Sequence, residues 1–309
     1  MKSLKILSTG SYLPPHIITN DEFSKTLDTD DKWITSRTGI ESRHFATDET
    51  NTDMAIKAAQ AAFSKAAINK EDICCVIVAT FTPDDFTPAI GCEVHNALNL
   101  PPNIMSFDIN AACSGFIYAM EVAEGLLLQH PEKYALVIGS EKISNFLDFT
   151  DRTTCVLFGD GAGAAIMGLQ NGKSCYTMGT RASRSALYCP SIANPKLAMN
   201  GKEVFKFAVE VIPQSIEEIL AKAHLNIDEI DHIVCHQANL RIISHVYKKM
   251  AIEPSKFFVN LNHCGNTSGA SIPLALDEMN QKALLKKGDK IICVGFGAGL
   301  TWGATLITW

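Results

Sequence analysis

The second half of this chain repeats the first, and no other feature constrains its fold as strongly. IDHIVCHQ (230–237) parallels ICCVIVAT (73–80) at an offset of 157 residues. FVNLNHCGNTSGASIPLALDEM (258–279) parallels SFDINAACSGFIYAMEVAEG, with Ser268-Gly269 lying 154 residues after Ser114-Gly115. DKIICVGFG (289–297) follows KYALVIGSE (133–141) at an offset of 156. Three strand-like runs and one helix-like run, in one order and at nearly constant spacing, predict two copies of a single α/β unit.

Within each copy, apolar runs alternate with helical patterns. ICCVIVAT, IMSFDI (104–109) and YALVIGS (134–140) read as buried strands of a mostly parallel sheet. MAIKAAQAAFSKA (54–66) and SGFIYAMEVAEGLLLQ (114–129) carry Ala, Leu and Glu at helical spacing. The break between copies is predicted near 168–176, where Gly-Leu-Gln-Asn-Gly interrupts the pattern. This divides the chain into 1–170 and 171–309. ASRSALYCPSIANPK (182–196) reads as an irregular loop of the kind that carries function.

Composition bounds the function classes. At 309 residues with 47% hydrophobic and 19% charged, the chain has enough apolar material for a large buried core. A net charge of −6 argues against general nucleic-acid binding. No run approaches the roughly 18–20 apolar residues of a membrane span, and the start, MKSLKILSTGSYLPP, is too short and polar for a signal peptide. Ten cysteines without a CxxC pair suit reduced thiols in the cytoplasm rather than a disulfide framework or a zinc ribbon.

Open α/β sheets bind ligands beyond the carboxyl ends of their strands, so residues at those ends are the first candidates. Strand 104–110 runs into Cys113, set among small residues in DINAACSGF that let a bulky substrate approach sulfur. Cys113 precedes a helix whose positive end favours a thiolate, which could attack a thioester. In the second copy, strand 230–235 ends at His236 and strand 257–262 ends near Asn266. His236 offers a general base or a neutral N–H donor, and Asn266 an amide donor that never titrates. Each residue alone has a plainer reading: a buried structural cysteine, a satisfied core histidine, a helix-capping asparagine. Pseudo-twofold packing of the two copies would bring all three into one pocket.

Some patterns imitate other chemistries. GDGAGA (159–164) and GFGAG (295–299) lead into strand-like runs, whereas a dinucleotide fingerprint opens a helix. Their glycines suit backbone amides that approach a substrate oxygen. His232 and His236 have HxxxH spacing without a third ligand, so no metal is expected.

DINAACSGF, FGDGAGA, CHQANLRI, HCGNTSGASIP, GFGAGLTWG and the N-terminal WITSRTGIESRH (33–44) together resemble the β-ketoacyl-acyl-carrier-protein synthase III family, in order over residues 2 to 309. The resemblance implies a thiolase-like five-layered αβαβα fold built from the two halves, usually as a homodimer. It implies decarboxylative condensation of a short acyl-CoA primer with malonyl-acyl carrier protein, the first step of type II fatty-acid synthesis, with no cofactor. Cys113 would then accept the acyl group while His236 and Asn266 assist decarboxylation; elongating synthases have a second His in place of Asn. The amides of Cys113 and Ala298 would form the oxyanion hole, although many relatives have glycine where Ala298 stands. Trp33 and Arg152 would flank the adenine of CoA, Arg37 would meet phosphate, and Phe86 would reach into the partner's acyl pocket. An acidic carrier protein needs a positive face, and Arg241, His245 and Lys248 fall on one side of the helix after His236, with Lys249 adjacent. The role of Lys202 stays open. A related acyltransferase, a specialised ketosynthase of secondary metabolism and a non-catalytic acyl- or CoA-binding module remain as alternatives.

Overall fold

The structure is a computed structural model that describes residues 1–190 and 196–309; residues 191–195 of the loop expected at 182–196 lie outside the described residues. Five strands form the first sheet: β1 (Lys2–Tyr12), β2 (Ile73–Ala79), β3 (Met105–Ile109), β4 (Tyr134–Glu141) and β5 (Gly161–Asn171). Their spatial order is β1-β5-β4-β2-β3. β2 runs parallel to β3 and β4, while β5 is antiparallel to β1 and β4. The second sheet contains β6 (Tyr176–Thr180), β7 (His232–Cys235), β8 (Lys290–Gly297) and β9 (Thr301–Thr308), ordered β7-β8-β9-β6. Here β7 and β8 are parallel, and β9 is antiparallel to β8 and β6. β6, β9, β8 and β7 therefore take the places of β1, β5, β4 and β2, with the same strand senses. The duplication visible in the sequence is a duplication of topology.

One predicted strand is replaced. The second-sheet counterpart of β3, expected at 257–262, is reduced to a single parallel bridge between Phe257 and Ile233, followed by a short helix at Leu261–Cys264. The side-chain amide of Gln237 supplies the missing pairing. Its Nε2 donates to the Phe258 carbonyl at 3.2 Å, and its Oε1 accepts from the Asn260 amide at 3.1 Å. A side chain that satisfies the backbone frees the segment to turn towards Asn266.

The helices that matter for the site are α1 (Asp31–Thr38), α2 (Asn51–Lys65), α3 (Ile90–Leu98), α4 (Gly115–Leu127), α5 (Gly201–Ala223), α6 (Leu240–Lys249) and α7 (Ser271–Gln281). Strand periodicity decides which helix meets which face. Ile77 and Val137 of the first sheet, with Val234 and Cys293 of the second, point inward onto Phe116 and Met120 of α4 and Leu276 and Met279 of α7. Their neighbours Val76 and Ile138 point outward onto Met54, Ala58 and Val94 of α2 and α3. Ile233 and Ile292 meet Val211 and Ile216 of α5 and Val246 of α6. The layers are thus helices, sheet, α4 with α7, sheet, helices. No helix of the described residues is long and apolar enough to cross a membrane.

Glycines on the two central strands set how closely the halves approach. Gly139 of β4 and Gly295 of β8 are equivalent, 156 residues apart. A Cβ on Gly139 would overlap the Gly269 carbonyl, and one on Gly295 would lie 3.0 Å from Cα of Ser114. Backbone cannot swing aside as a side-chain tip can, so Gly139→Ala is expected to cost about 3 kcal/mol. Chemical denaturation checks this: the midpoint should fall, and an unchanged midpoint would mean the contact is loose.

Candidate active site

Two equivalent turns form the centre of the molecule. After β3, Asn110 Oδ1 accepts from the Ala112 amide at 3.2 Å, and Ala112 takes a left-handed conformation at φ 47°. In the second half, Asn266 Oδ1 accepts from the Ser268 amide at 2.9 Å, and Ser268 sits at φ 48°. Such short side-chain turns stabilise backbone that a non-glycine residue otherwise avoids. The structural offset is therefore 156, not the 154 suggested by the Ser-Gly pairs. Ser268 occupies the place of Ala112, and Gly269 that of Cys113; the asparagines fix the register, and the Ser-Gly match is incidental.

Cys113 lies in a tight turn, Ala112–Ser114, that leads into α4. Gly297 of β8 presses against it: a Cβ there would lie 2.7 Å from Cys113 Cβ and 2.9 Å from its sulfur. Burial pushes the thiol up to about 12; the Ser268 hydroxyl opposes the shift and the Glu141 charge adds to it. The sequence pointed to a helix end that favours thiolate, but here loss of solvent outweighs the dipole and the resting group is a thiol.

His236 follows β7, and its amide donates to the Val294 carbonyl at 2.7 Å. Its Nδ1 is 2.7 Å from Ser271 Oγ, and its ring meets the edge of Phe296 with centroids 5.2 Å apart. Ser271 Oγ also accepts from the Gln237 amide at 3.3 Å. The hydroxyl proton is thereby left for Nδ1, so the ring proton is assigned to Nε2. Burial lowers the imidazole to about 3, which keeps it neutral. The result is a fixed, uncharged N–H donor.

The first half of the chain holds Asn266 in place. Its amide donates to the Leu157 carbonyl at 2.9 Å, and its carbonyl accepts from Gly159 at 3.0 Å. Because Oδ1 is taken by the Ser268 amide, Nδ2 is the end left to a substrate.

Cys113, His236 and Asn266 line one cavity of about 310 Å³, whose wall also carries Trp33, Arg37, Arg152 and Arg241. The Arg37 guanidinium lies 4.5 Å from the Trp33 ring centre and that of Arg152 5.1 Å, while the Asp28 carboxylate holds Arg152 at 3.0 Å. A second cavity, of about 690 Å³, also reaches Cys113; Phe81, Phe86, Phe146, Leu197 and Ala298 are among its lining. Phe86 is 87% exposed. The Ala298 amide has no acceptor among the described residues, so it is available to a ligand oxygen.

On α6, Arg241, His245 and Lys248 face one surface depression together with Ser36. Lys249 departs from that face: its ammonium donates to the Val209 carbonyl of α5 at 3.2 Å. Lys202 and Arg241 share a broader groove of about 900 Å³. His232 pairs with Asp289 at 3.5 Å, while His236 is tied to Ser271. His263, Cys264 and Glu278 have donor atoms within 4.8 Å of one another. Lys282 at 2.6 Å and Asn260 at 2.9 Å already occupy the Glu278 carboxylate, so that trio reads as an ion-pair cluster. Sequence reasoning missed Ser271, Ser268 and Glu141. A serine at the first turn of a helix reads as a cap, and nothing local distinguishes Glu141 from any acidic residue at a strand end.

Known proteins resemble this chain over its whole length. The family model described as 3-oxoacyl-[acyl-carrier-protein (ACP)] synthase III matches residues 107–184, and its C-terminal counterpart matches residues 220–309. β-Ketoacyl-[acyl-carrier-protein] synthase III of Clostridium acetobutylicum is 47% identical over 100% of this chain and 99% of its own length. The enzyme of the same name from Acholeplasma laidlawii is 48% identical, covering 99% of each. The crystal structure of 3-oxoacyl-[acyl-carrier-protein] synthase III from Aquifex aeolicus aligns at a TM-score of 0.95 and 41% identity, over 99% of this chain and 100% of that one. The first matched segment contains Cys113 and the second contains His236 and Asn266, and likeness extends from end to end: the chain belongs to the β-ketoacyl-acyl-carrier-protein synthase III family.

Proposed function

We propose that the chain condenses a short acyl-CoA primer with malonyl-acyl carrier protein through an acyl group held on Cys113. One observation carries the reading: a thiol, a neutral imidazole N–H and an amide from opposite halves line a single cavity. In the first step, sulfur displaces CoA from the primer, and the carbonyl oxygen is held by the amides of Cys113 and Ala298. In the second, malonyl thioester loses carbon dioxide, and its electron pair moves onto the thioester oxygen as an enolate. His236 Nε2–H and Asn266 Nδ2–H stabilise that oxygen, and neither donor needs to change charge. The enolate carbon attacks the acyl carbonyl, Cys113 leaves, and a 3-oxoacyl carrier protein results.

The surrounding features fit the same reaction. Trp33 with Arg37 and Arg152 offers flat and cationic surfaces for the adenine and phosphates of CoA. Arg241 and Lys248 supply the positive face for an acidic carrier protein, with Lys249 exposed beside them and its ammonium bonded to α5. Phe86 belongs against the acyl pocket of a second copy, since so exposed an aromatic on a pocket rim is suited to burial in a homodimer. All ten cysteines are free thiols, which suits the cytoplasm.

Whole-protein mass spectrometry with a panel of acyl-CoAs, followed by malonyl-acyl carrier protein, tests the proposal. Loading on Cys113 with subsequent 3-oxoacyl product supports it; loading without condensation would make the protein an acyltransferase. Ser271→Ala is expected to load normally but decarboxylate malonyl thioester about tenfold more slowly, because His236 loses the partner that fixes its tautomer. Equal decarboxylation rates would remove Ser271 from the scheme.

A further inference from the structure

Loading Cys113 requires a destination for the thiol proton, and neither substrate-binding donor is suited to take it. His236 has its Nδ1 engaged with Ser271 and its Nε2 protonated, so it presents no free lone pair to the sulfur. Asn266 has no basic atom free. Behind the sulfur, however, lie two buried groups that the condensation itself does not use.

Glu141, at the end of β4, is completely buried and has no cationic partner among the described residues. Its Oε2 accepts from Thr82 Oγ1 at 2.6 Å, Thr80 Oγ1 at 3.2 Å and the Phe81 amide at 3.2 Å. Oε1 shares only that same amide, at 3.4 Å, and lies over Gly269: a Cβ there would be 3.4 Å from Glu141 Oε1 and 3.4 Å from the Ala112 carbonyl. Ser268 is also fully buried, and its hydroxyl makes no hydrogen bond of normal geometry. It lines the larger cavity together with Cys113, and the adjoining Gly269 lies under Glu141 Oε1; the same hydroxyl pulls both the Cys113 thiol and the Glu141 carboxyl down. A buried hydroxyl without a settled partner, between an acid and its potential base, is an unusual expense of desolvation.

We propose that Glu141 receives the Cys113 proton through the Ser268 hydroxyl. Ser268 Oγ accepts the proton from sulfur as its own hydrogen passes to Glu141 Oε1, giving a cysteine thiolate and a neutral carboxylic acid. The thiolate attacks the acyl-CoA carbonyl, the carbon–sulfur bond to CoA breaks, and the proton returns over Ser268 to the departing CoA sulfur. No net charge enters or leaves the cavity. Burial raises the Glu141 carboxyl to about 7, a value suited to taking up and giving back a proton near neutrality. Facing it are Thr80, Phe81 and Thr82 after β2, Ser268 and Gly269 before α7, and Cys113 before α4; among these, Cys113 alone titrates. The ammonium of neighbouring Lys142 is turned to the Glu49 carbonyl at 2.7 Å. Ser268 has a left-handed backbone at φ 48°, and the matched position in the first half, also left-handed, is an alanine without a hydroxyl.

The inference rests on Cys113 as the acylated residue, and its test separates the two ideas. Acyl transfer is timed by rapid quench and whole-protein mass spectrometry, using whichever of acetyl-, propionyl- or isobutyryl-CoA loads the wild-type chain fastest. Glu141→Gln keeps the size and hydrogen bonding but cannot take a proton; loading should slow by roughly 100-fold. Ser268→Ala should slow it comparably, and Glu141→Asp should recover most of the rate. The wild-type rate should climb with pH through about 7, and Glu141→Gln should lose that limb. Malonyl decarboxylation, which uses His236 and Asn266, serves as the folding control. If Glu141 acted only as a structural or electrostatic neighbour, removing its charge would ease thiol ionisation and Glu141→Gln would load as fast or faster; that result overturns the relay. Failure of wild-type Cys113 to load at all would instead overturn the site assignment, and the relay with it.

Discussion

Cys113→Ala protein is expected to gain no acyl mass from any acyl-CoA, and its condensation rate should fall by at least about a thousandfold. The magnitude follows from what the sulfur does. Without it there is no covalent holding group, and two thioesters would have to meet in a cavity of about 310 Å³ with neither fixed. Decarboxylation of malonyl thioester should survive, because the enolate donors stay in place: Ser271 fixes His236, while Asn266 is held through Leu157 and Gly159. Alanine keeps the Cβ and only removes the sulfur beside Gly297, so the fold should be retained. Measuring intact mass and carbon dioxide release on the same sample separates these expectations. Acyl mass on the Cys113→Ala chain would refute the assignment of the nucleophile.

Asn266→Ala should lower kcat for condensation by roughly 10²–10³, or about 3–4 kcal/mol of barrier, by slowing the decarboxylation that Cys113→Ala leaves intact. One of two donors to the enolate oxygen would be gone. The same change removes the acceptor of the Ser268 amide, so Ser268 would lose the turn that holds it left-handed. Asn266→Asp keeps that turn while removing the donor, and should condense as poorly as alanine; recovery with aspartate would assign the loss to the turn. Acidification offers an independent check. His236 does not take a proton until the pH nears about 3, so decarboxylation should stay flat through the ordinary titration range of histidine. A fall centred near pH 6.5 would mean that the imidazole is far less buried than described.

Of the five strand positions, duplication made two legible through matching apolar runs, β2 with β7 and β4 with β8, at offsets of 157 and 156. The counterpart of β3 was not, because Phe257-Phe258-Val259 looks like a strand while Gln237, twenty residues away, supplies the bonds that end it. Cys113, His236 and Asn266 were legible as strand-end residues, and their likeness to a known family sharpened the reading. The ionisation of Cys113 was not, since a helix end is visible in sequence whereas the solvent lost around one sulfur depends on Gly297 and β8. Lys249 illustrates the same limit on the surface. Helical spacing puts it beside Lys248, and only the nearness of α5 turns its ammonium away. Glu141, Ser268 and Ser271 were invisible because their significance lies wholly in what they touch.

The twin turns around Ala112 and Ser268 have a consequence for how such a molecule can be built. They pack against each other, so two identical chains paired in this manner would set two sulfurs against one another. Joining the copies into one polypeptide allows each to specialise, one keeping the nucleophile and the other giving up its place to Gly269. The broken symmetry is thus a condition of having one working centre rather than two that obstruct each other.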